Sequence, residues 1–181
     1  YVKGALMPLL AVTGLAYAAP RGFGRKTVAL LVAAQMLGWA GDSLLMGSGF
    51  AWFATGLGCF LAGHFCYIGI FSRSLKGLRK STWIVATAVM AVMLVSLVLA
   101  IGVKGALLVP MIVYGAALLT IAFCGIMGLA KRCAPAPTTW LTTLLGGLLF
   151  LVSDGLIAMR TFGIGDFPQR GFVIMSTYLL A

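Results

Sequence analysis

Along the chain, long apolar runs alternate with short stretches that hold charge, Gly or Pro. This punctuation cuts out seven runs: 4–19, 27–47, 51–71, 82–102, 105–129, 139–159 and 170–181. The five middle runs are each close to the roughly 20 residues that an α-helix needs to cross a hydrocarbon core at about 1.5 Å per residue. The first is short, and the last stops at Ala181 while still apolar. Membrane-spanning β-strands would alternate over about ten residues, whereas the segment from Ala86 to Ile101 alternates nothing. In lipid a backbone must satisfy its own polar groups, which a helix does within one segment. The pattern therefore predicts an all-α, polytopic transmembrane helical bundle of about seven helices, a single transmembrane domain over 1–181.

Composition agrees and charge then orients the bundle. Hydrophobic residues make up 62% and charged ones 9%, against about half and a quarter in soluble domains. Thirteen Lys and Arg against three acids give +10. No basic surface interleaved with aromatics accompanies that charge, so nucleic acid is not expected as a partner and the lipid bilayer is. Arg21, Arg25 and Lys26, then Arg73, Lys76, Arg79 and Lys80, then Lys131 and Arg132 all fall on one side. Only Lys3, Lys104, Arg160 and Arg170 fall on the other. Basic turns 20–26, 72–81 and 131–139 are thus expected in the cytoplasm, and short turns in a small chain point to a bacterial inner membrane. Cys59, Cys66, Cys124 and Cys133 form no CxxC, and three of them sit in apolar runs as small hydrophobes. No cleavable signal peptide is seen.

An ionisable group in a spanning helix costs a few kcal/mol and asks for a partner or a task. Two acids and one histidine stand inside the runs, while Asp166 is a turn residue. Asp42 and Asp154 are each five residues from the outer end of their run, so both are expected about 7–8 Å below it. Gly41-Asp42-Ser43-Leu44-Leu45 and Ser153-Asp154-Gly155-Leu156-Ile157 form a weak internal echo. His64 and Gln35 are expected deeper, with His64 roughly 20 Å down, and Tyr114 and Tyr178 between. Gln35 shares a face with Asp42, two turns away, and His64 with Tyr67, while Ser153 does not share the face of Asp154. Gly38, Gly41, Gly58, Gly63, Gly146 and Gly147 are expected to permit close helix approach.

Each residue also has a structural reading. His64 alone is accounted for by one satisfied hydrogen bond, and either acid by pairing with Lys3, Lys104 or Arg160. Gln35, Tyr114 and Tyr178 individually suit packing or interhelical hydrogen bonds. The combination in so uncharged a chain points to a site. No lysine lies mid-helix for a retinal Schiff base, and one histidine cannot build a bis-His haem or a three-His zinc site. No GxSxG elbow, Walker loop or dinucleotide fingerprint appears. A transporter or lipid-binding protein using the same polar shaft, an esterase with Ser153 as nucleophile, and a purely structural protein stay open.

The segments holding these residues resemble the YhhN family of integral membrane proteins. They are Lys3-Gly4-Ala5-Leu6-Met7-Pro8, Gly41-Asp42-Ser43-Leu44-Leu45-Met46, Phe60-Leu61-Ala62-Gly63-His64-Phe65-Cys66-Tyr67, Pro110 with Tyr114, Gly147 to Asp154, and Thr177-Tyr178. The family usually has Lys-Pro where this chain has Lys3-Gly4, and usually continues past the final Tyr. With a further helix before the Lys motif, the resemblance implies eight helices in the intact protein. It also implies a hydrolase that cleaves the vinyl ether bond of a lysophospholipid, lysoplasmalogen; the residue inventory requires no metal, and no cofactor is expected. Protonating a vinyl ether at its β-carbon creates an oxocarbenium ion for water to attack, which needs a proton donor and an ionised group. Asp42 and Asp154 fill those roles in this reading, and His64 activates water. Tyr67, Tyr114 and Tyr178 orient it, Lys3 meets the headgroup phosphate, and Gln35 and Ser153 complete the substrate-binding set.

Overall fold

The structure, a computed structural model, describes residues 2–18, 20, 22–75, 77, 79–101, 108–131, 137–161 and 168–181. Among them it is all-α, with helices α1 (Val2–Ala18), α2 (Arg25–Leu44), α3 (Phe50–Ser74), α4 (Lys80–Ile101), α5 (Leu108–Ala130), α6 (Pro137–Thr161) and α7 (Arg170–Leu180). Four described stretches are long and apolar enough to cross a membrane: Arg25–Leu44, Phe50–Arg73, Leu108–Ala130 and Pro137–Ile157. Large side chains that a water-soluble fold would bury stand outward, among them Leu9, Trp52, Phe65, Ile84, Val92 and Phe172. Hydroxyls in the helices close on their own carbonyls one turn back, as Ser43 does on Trp39 O at 2.9 Å and Thr120 on Ala116 O at 2.7 Å. Such a bond satisfies the hydroxyl within its own helix.

Helix bounds track the apolar runs, with α3 extending to Ser74 past the expected 71 and α2 stopping short. The run expected over 27–47 is α-helical only to Leu44. Beyond it, Met46 and Gly47 donate to Ser43 O and Leu44 O, three residues back, at 3.3 and 3.0 Å. Gly49 then takes φ +103, a backbone that side chains strain to adopt. The last apolar residues of the run therefore form a tight turn, and Asp42 lies in the final turn of α2.

The chain forms two compact units, Tyr1–Arg73 and Ser74–Ala181. In the first, α2 turns Ala34, Gln35, Gly38, Gly41 and Asp42 inward. A Cβ placed on Gly38 would meet Met7 Cε of α1 at 3.5 Å. One on Gly63 of α3 would lie 3.1 Å from Ala34 O, and one on Gly41 would lie 2.7 Å from the Phe60 ring. Apolar burial gives little drive between helices in lipid, so close backbone approach at small residues is what holds such a seam.

In the second unit α5 is the buried element, packed against α4 and α6, and α6 also carries α7. A Cβ on Gly147 would come 3.1 Å from Ala122 N, one on Gly125 2.6 Å from Leu144 N, and one on Gly128 would fall on the Trp140 indole. Each step forward along α5 is matched by a similar step back along α6, so one antiparallel register runs the length of the hairpin. Trp140 fills the notch left by Gly128 and is fully buried. Gly58, expected at a close approach, has no atom within 4 Å of where its Cβ would stand. Gly125 and Gly128, not singled out from sequence, make the tightest glycine contacts of the α5–α6 seam.

Candidate functional site

Two polar clusters are built, one in each unit. In the first, the seam of Ala34 against Gly63 puts Gln35 and His64 on one level. His64 lies one turn from Phe60, whose ring meets Gly41 of α2, and nearly one turn from Tyr67, whose hydroxyl the Gln35 side chain reaches. The stripe of Phe60, His64 and Tyr67 therefore faces α2, and His64 is buried within it. Its Nδ1 stands 2.6 Å from Phe60 O. A carbonyl oxygen only accepts, so Nδ1 carries the proton, and in the neutral ring Nε2 is the acceptor. Gln35 is 9% exposed, and its Oε1 has no hydrogen-bond partner among the described residues. Asp42, also buried, shares the inner face of α2 but lies seven residues on, about 10 Å along the axis.

The second cluster sits where the α5–α6 register, followed past Ala122 and Gly147, brings Tyr114 opposite Asp154. The Tyr114 hydroxyl donates to Asp154 Oδ2. A phenolic donor aimed at a carboxyl oxygen suits an ionised carboxylate. Asp154 is half-buried and Tyr114 buried. Ser153 turns to the other side of α6, where its Oγ donates to Ile174 O of α7 at 3.2 Å. Tyr178 of α7 is buried with its ring centroid 5.7 Å from that of Phe150 on α6. Ser153 and Tyr178 thus hold α7 to α6 beside the Tyr114 and Asp154 pair.

The sequence-chosen residues therefore divide. Gln35 and Tyr67 meet, His64 lies level with them, and Asp42 is two turns along the same face. Tyr114 and Asp154 are directly bonded, while Ser153 and Tyr178 serve the α6–α7 contact. The side chain of Lys3 lies outside the described residues, as do Lys104, Cys133 and Asp166. Asp42 is about 3 Å from the end of α2 at Leu44, and Asp154 about 10 Å from the end of α6 at Thr161. Sequence reading missed the Phe60 carbonyl that fixes the imidazole, although its place four residues before His64 was the available signal. Among the described residues no three His, Cys, Asp or Glu side chains gather as a metal-binding group, and Cys59, Cys66 and Cys124 are free thiols.

Helices fit to span a bilayer, an apolar exterior and polar groups turned inward define an α-helical membrane protein with ionisable residues in its core. The chain belongs to the YhhN family, whose model matches residues 1–181. It is 32% identical over 170 residues to proteins named lysoplasmalogenase from Mycobacterium bovis (strain ATCC BAA-935 / AF2122/97) and Mycobacterium tuberculosis (strain CDC 1551 / Oshkosh). Each match takes in 91% of this chain and 60% of the relative. The chain thus spans about three fifths of the length of these curated relatives. No solved structure matches it significantly.

Proposed function

We propose that this chain carries the catalytic helices of a membrane hydrolase that cleaves the vinyl ether bond of lysoplasmalogen. The products are a fatty aldehyde and glycerophosphoethanolamine or glycerophosphocholine. The observation that carries the reading is the Tyr114 hydroxyl donating to Asp154 Oδ2 in a helix seam, in a chain similar to proteins named lysoplasmalogenase.

The chemistry runs in three steps. A carboxylic acid gives its proton to the β-carbon of the vinyl ether, and the ether oxygen shares the positive charge left on the α-carbon. An ionised carboxylate stabilises that oxocarbenium ion and steers water onto it. The hemiacetal then passes its proton to the departing glycerol oxygen, and the aldehyde leaves, so one water is consumed. Asp154, with its phenolic donor, takes the carboxylate role, and Asp42 the acid role. His64, with Nδ1–H committed to Phe60 O, offers Nε2 to the water's proton. Lys3 meets the headgroup phosphate, and Tyr67 and Tyr178 shape the polar path.

The same reading sets the topology. Arg25, Lys26, Arg73, Arg79, Lys80 and Lys131 are all exposed, and basic turns 20–26, 72–81 and 131–139 face the cytoplasm of a bacterial inner membrane. Aldehyde release by purified protein from vinyl ether, alkyl ether and acyl lysolipids, assayed side by side, tests the activity. Release from the vinyl ether alone is expected. Fatty acid released from the acyl lipid would indicate an esterase, and lipid binding without any cleavage would indicate a transport or binding protein.

A further inference from the structure

Among the described residues of the first unit, Gln35 is the buried side chain with hydrogen-bonding capacity left unfilled. It is nine-tenths buried, its side chain reaches Tyr67, and Oε1 has no partner among the described residues. An acceptor held from water in this way costs more than a typical hydrogen bond returns, so the site favours whatever donor can enter. A Cβ on Gly14 of α1 would stand 4.0 Å from Gln35 Nε2, which places the amide between α1 and α3. Its surroundings there, Gly14, Leu31 and Tyr67, carry no formal charge. Such a place suits a neutral hydroxyl better than an ammonium, which would need a counter-ion when buried.

A lysolipid differs from its doubly acylated counterpart by one free hydroxyl, at the sn-2 carbon. Between that oxygen and the vinyl β-carbon lie five covalent bonds, about 6 Å when extended. With about 3 Å of contact at either end, the segment spans roughly 12 Å. The rise from Gln35 to Asp42 on the same face of α2 is about 10 Å, within that span. We propose that Gln35 reads the free sn-2 hydroxyl of the substrate through Oε1, and so makes the site select lysolipids. The proposal rests on the vinyl ether hydrolase reading for the identity of the ligand and for the position of Asp42 beside the bond that breaks.

The test uses binding, not turnover. A 1-O-alkyl lysophosphoethanolamine, which lacks the vinyl ether, and its 2-deoxy counterpart, which lacks only the hydroxyl, are titrated against the purified full chain in detergent. Wild-type protein is expected to hold the hydroxyl-bearing lipid about tenfold more tightly. Gln35→Met, of similar shape but without the acceptor, is expected to bind the two alike. Gln35→Leu gives a second such variant, and a ratio of Kd values is insensitive to the fraction of protein that folds. Equal affinity in the wild type, the result expected if water alone satisfies Oε1, overturns the proposal whatever the variants do. A preference that persists in both variants overturns it too. A wild type that shows the preference yet releases no aldehyde from a vinyl ether lysolipid keeps the hydroxyl site and loses the hydrolase.

Discussion

At the scale of single residues, what matters is which polar atoms are already committed. His64 was readable from sequence either as a structural histidine or as a catalytic one, and its bond to Phe60 O accounts for the structural description. One ring nitrogen is anchored to the backbone, and that anchoring sets the other as an acceptor. Ser153 shows the reverse case. Its neighbour Asp154 made it a candidate, but the 100° step between adjacent helical positions turns it toward α7, where its hydroxyl donates to Ile174 O. Tyr114 was chosen for its depth and its place in a family-like segment, and no periodicity within α5 could reveal that α6 brings Asp154 to its hydroxyl. Tyr114→Phe keeps the ring and removes this donor. We expect kcat for aldehyde release to fall about ten- to hundredfold with KM little changed, since a hydrogen bond to a charged group is worth about 1.5–3 kcal/mol. Steady-state kinetics on vinyl ether lysolipid would show it, and unchanged kcat would remove Tyr114 from the mechanism.

At the scale of helices, the apolar runs were legible because a bilayer requires a definite length of apolar helix, and the observed bounds follow them closely. The early end of α2 came from glycine: hydropathy does not sense that Gly49 leaves the right-handed region. Helix partners were less legible, because a glycine marks where a neighbour can approach but not which neighbour does. Gly58 and Gly128 look alike in sequence, yet one meets open space and the other meets Trp140. This contrast gives a stability prediction. Gly128→Ala should destabilise by about 1–3 kcal/mol through overpacking, and Trp140→Leu in the same chain should recover part of that loss. Gly125→Ala meets the Leu144 backbone, so no side-chain change there should rescue it. Gly58→Ala should be neutral or stabilising by up to about 1 kcal/mol, from helix propensity alone. Thermal unfolding in detergent, followed by circular dichroism, ranks the variants, and equal midpoints for Gly58→Ala and Gly128→Ala would refute the register.

At the scale of the whole molecule, low charge is the organising fact. With 9% of residues charged and 62% hydrophobic, nearly every ionisable side chain is either a topology signal or a member of a short list of candidates. The topology signal is tested by single-cysteine variants at Arg25, Lys80 and Lys131, in a background without native cysteines. A membrane-impermeant maleimide should leave all three unlabelled in intact spheroplasts and label them once the membrane is opened, whereas labelling from outside would invert the assignment. The short list carries the central claim, that an acid and a carboxylate supplied by Asp42 and Asp154 cleave a vinyl ether. Its most direct test is the rate of fatty aldehyde release from purified vinyl ether lysolipid by wild type, Asp42→Asn and Asp154→Asn, each verified as folded. The account predicts measurable wild-type turnover and a loss of about a hundredfold or more in each variant. Wild-type turnover retained in both variants would contradict it.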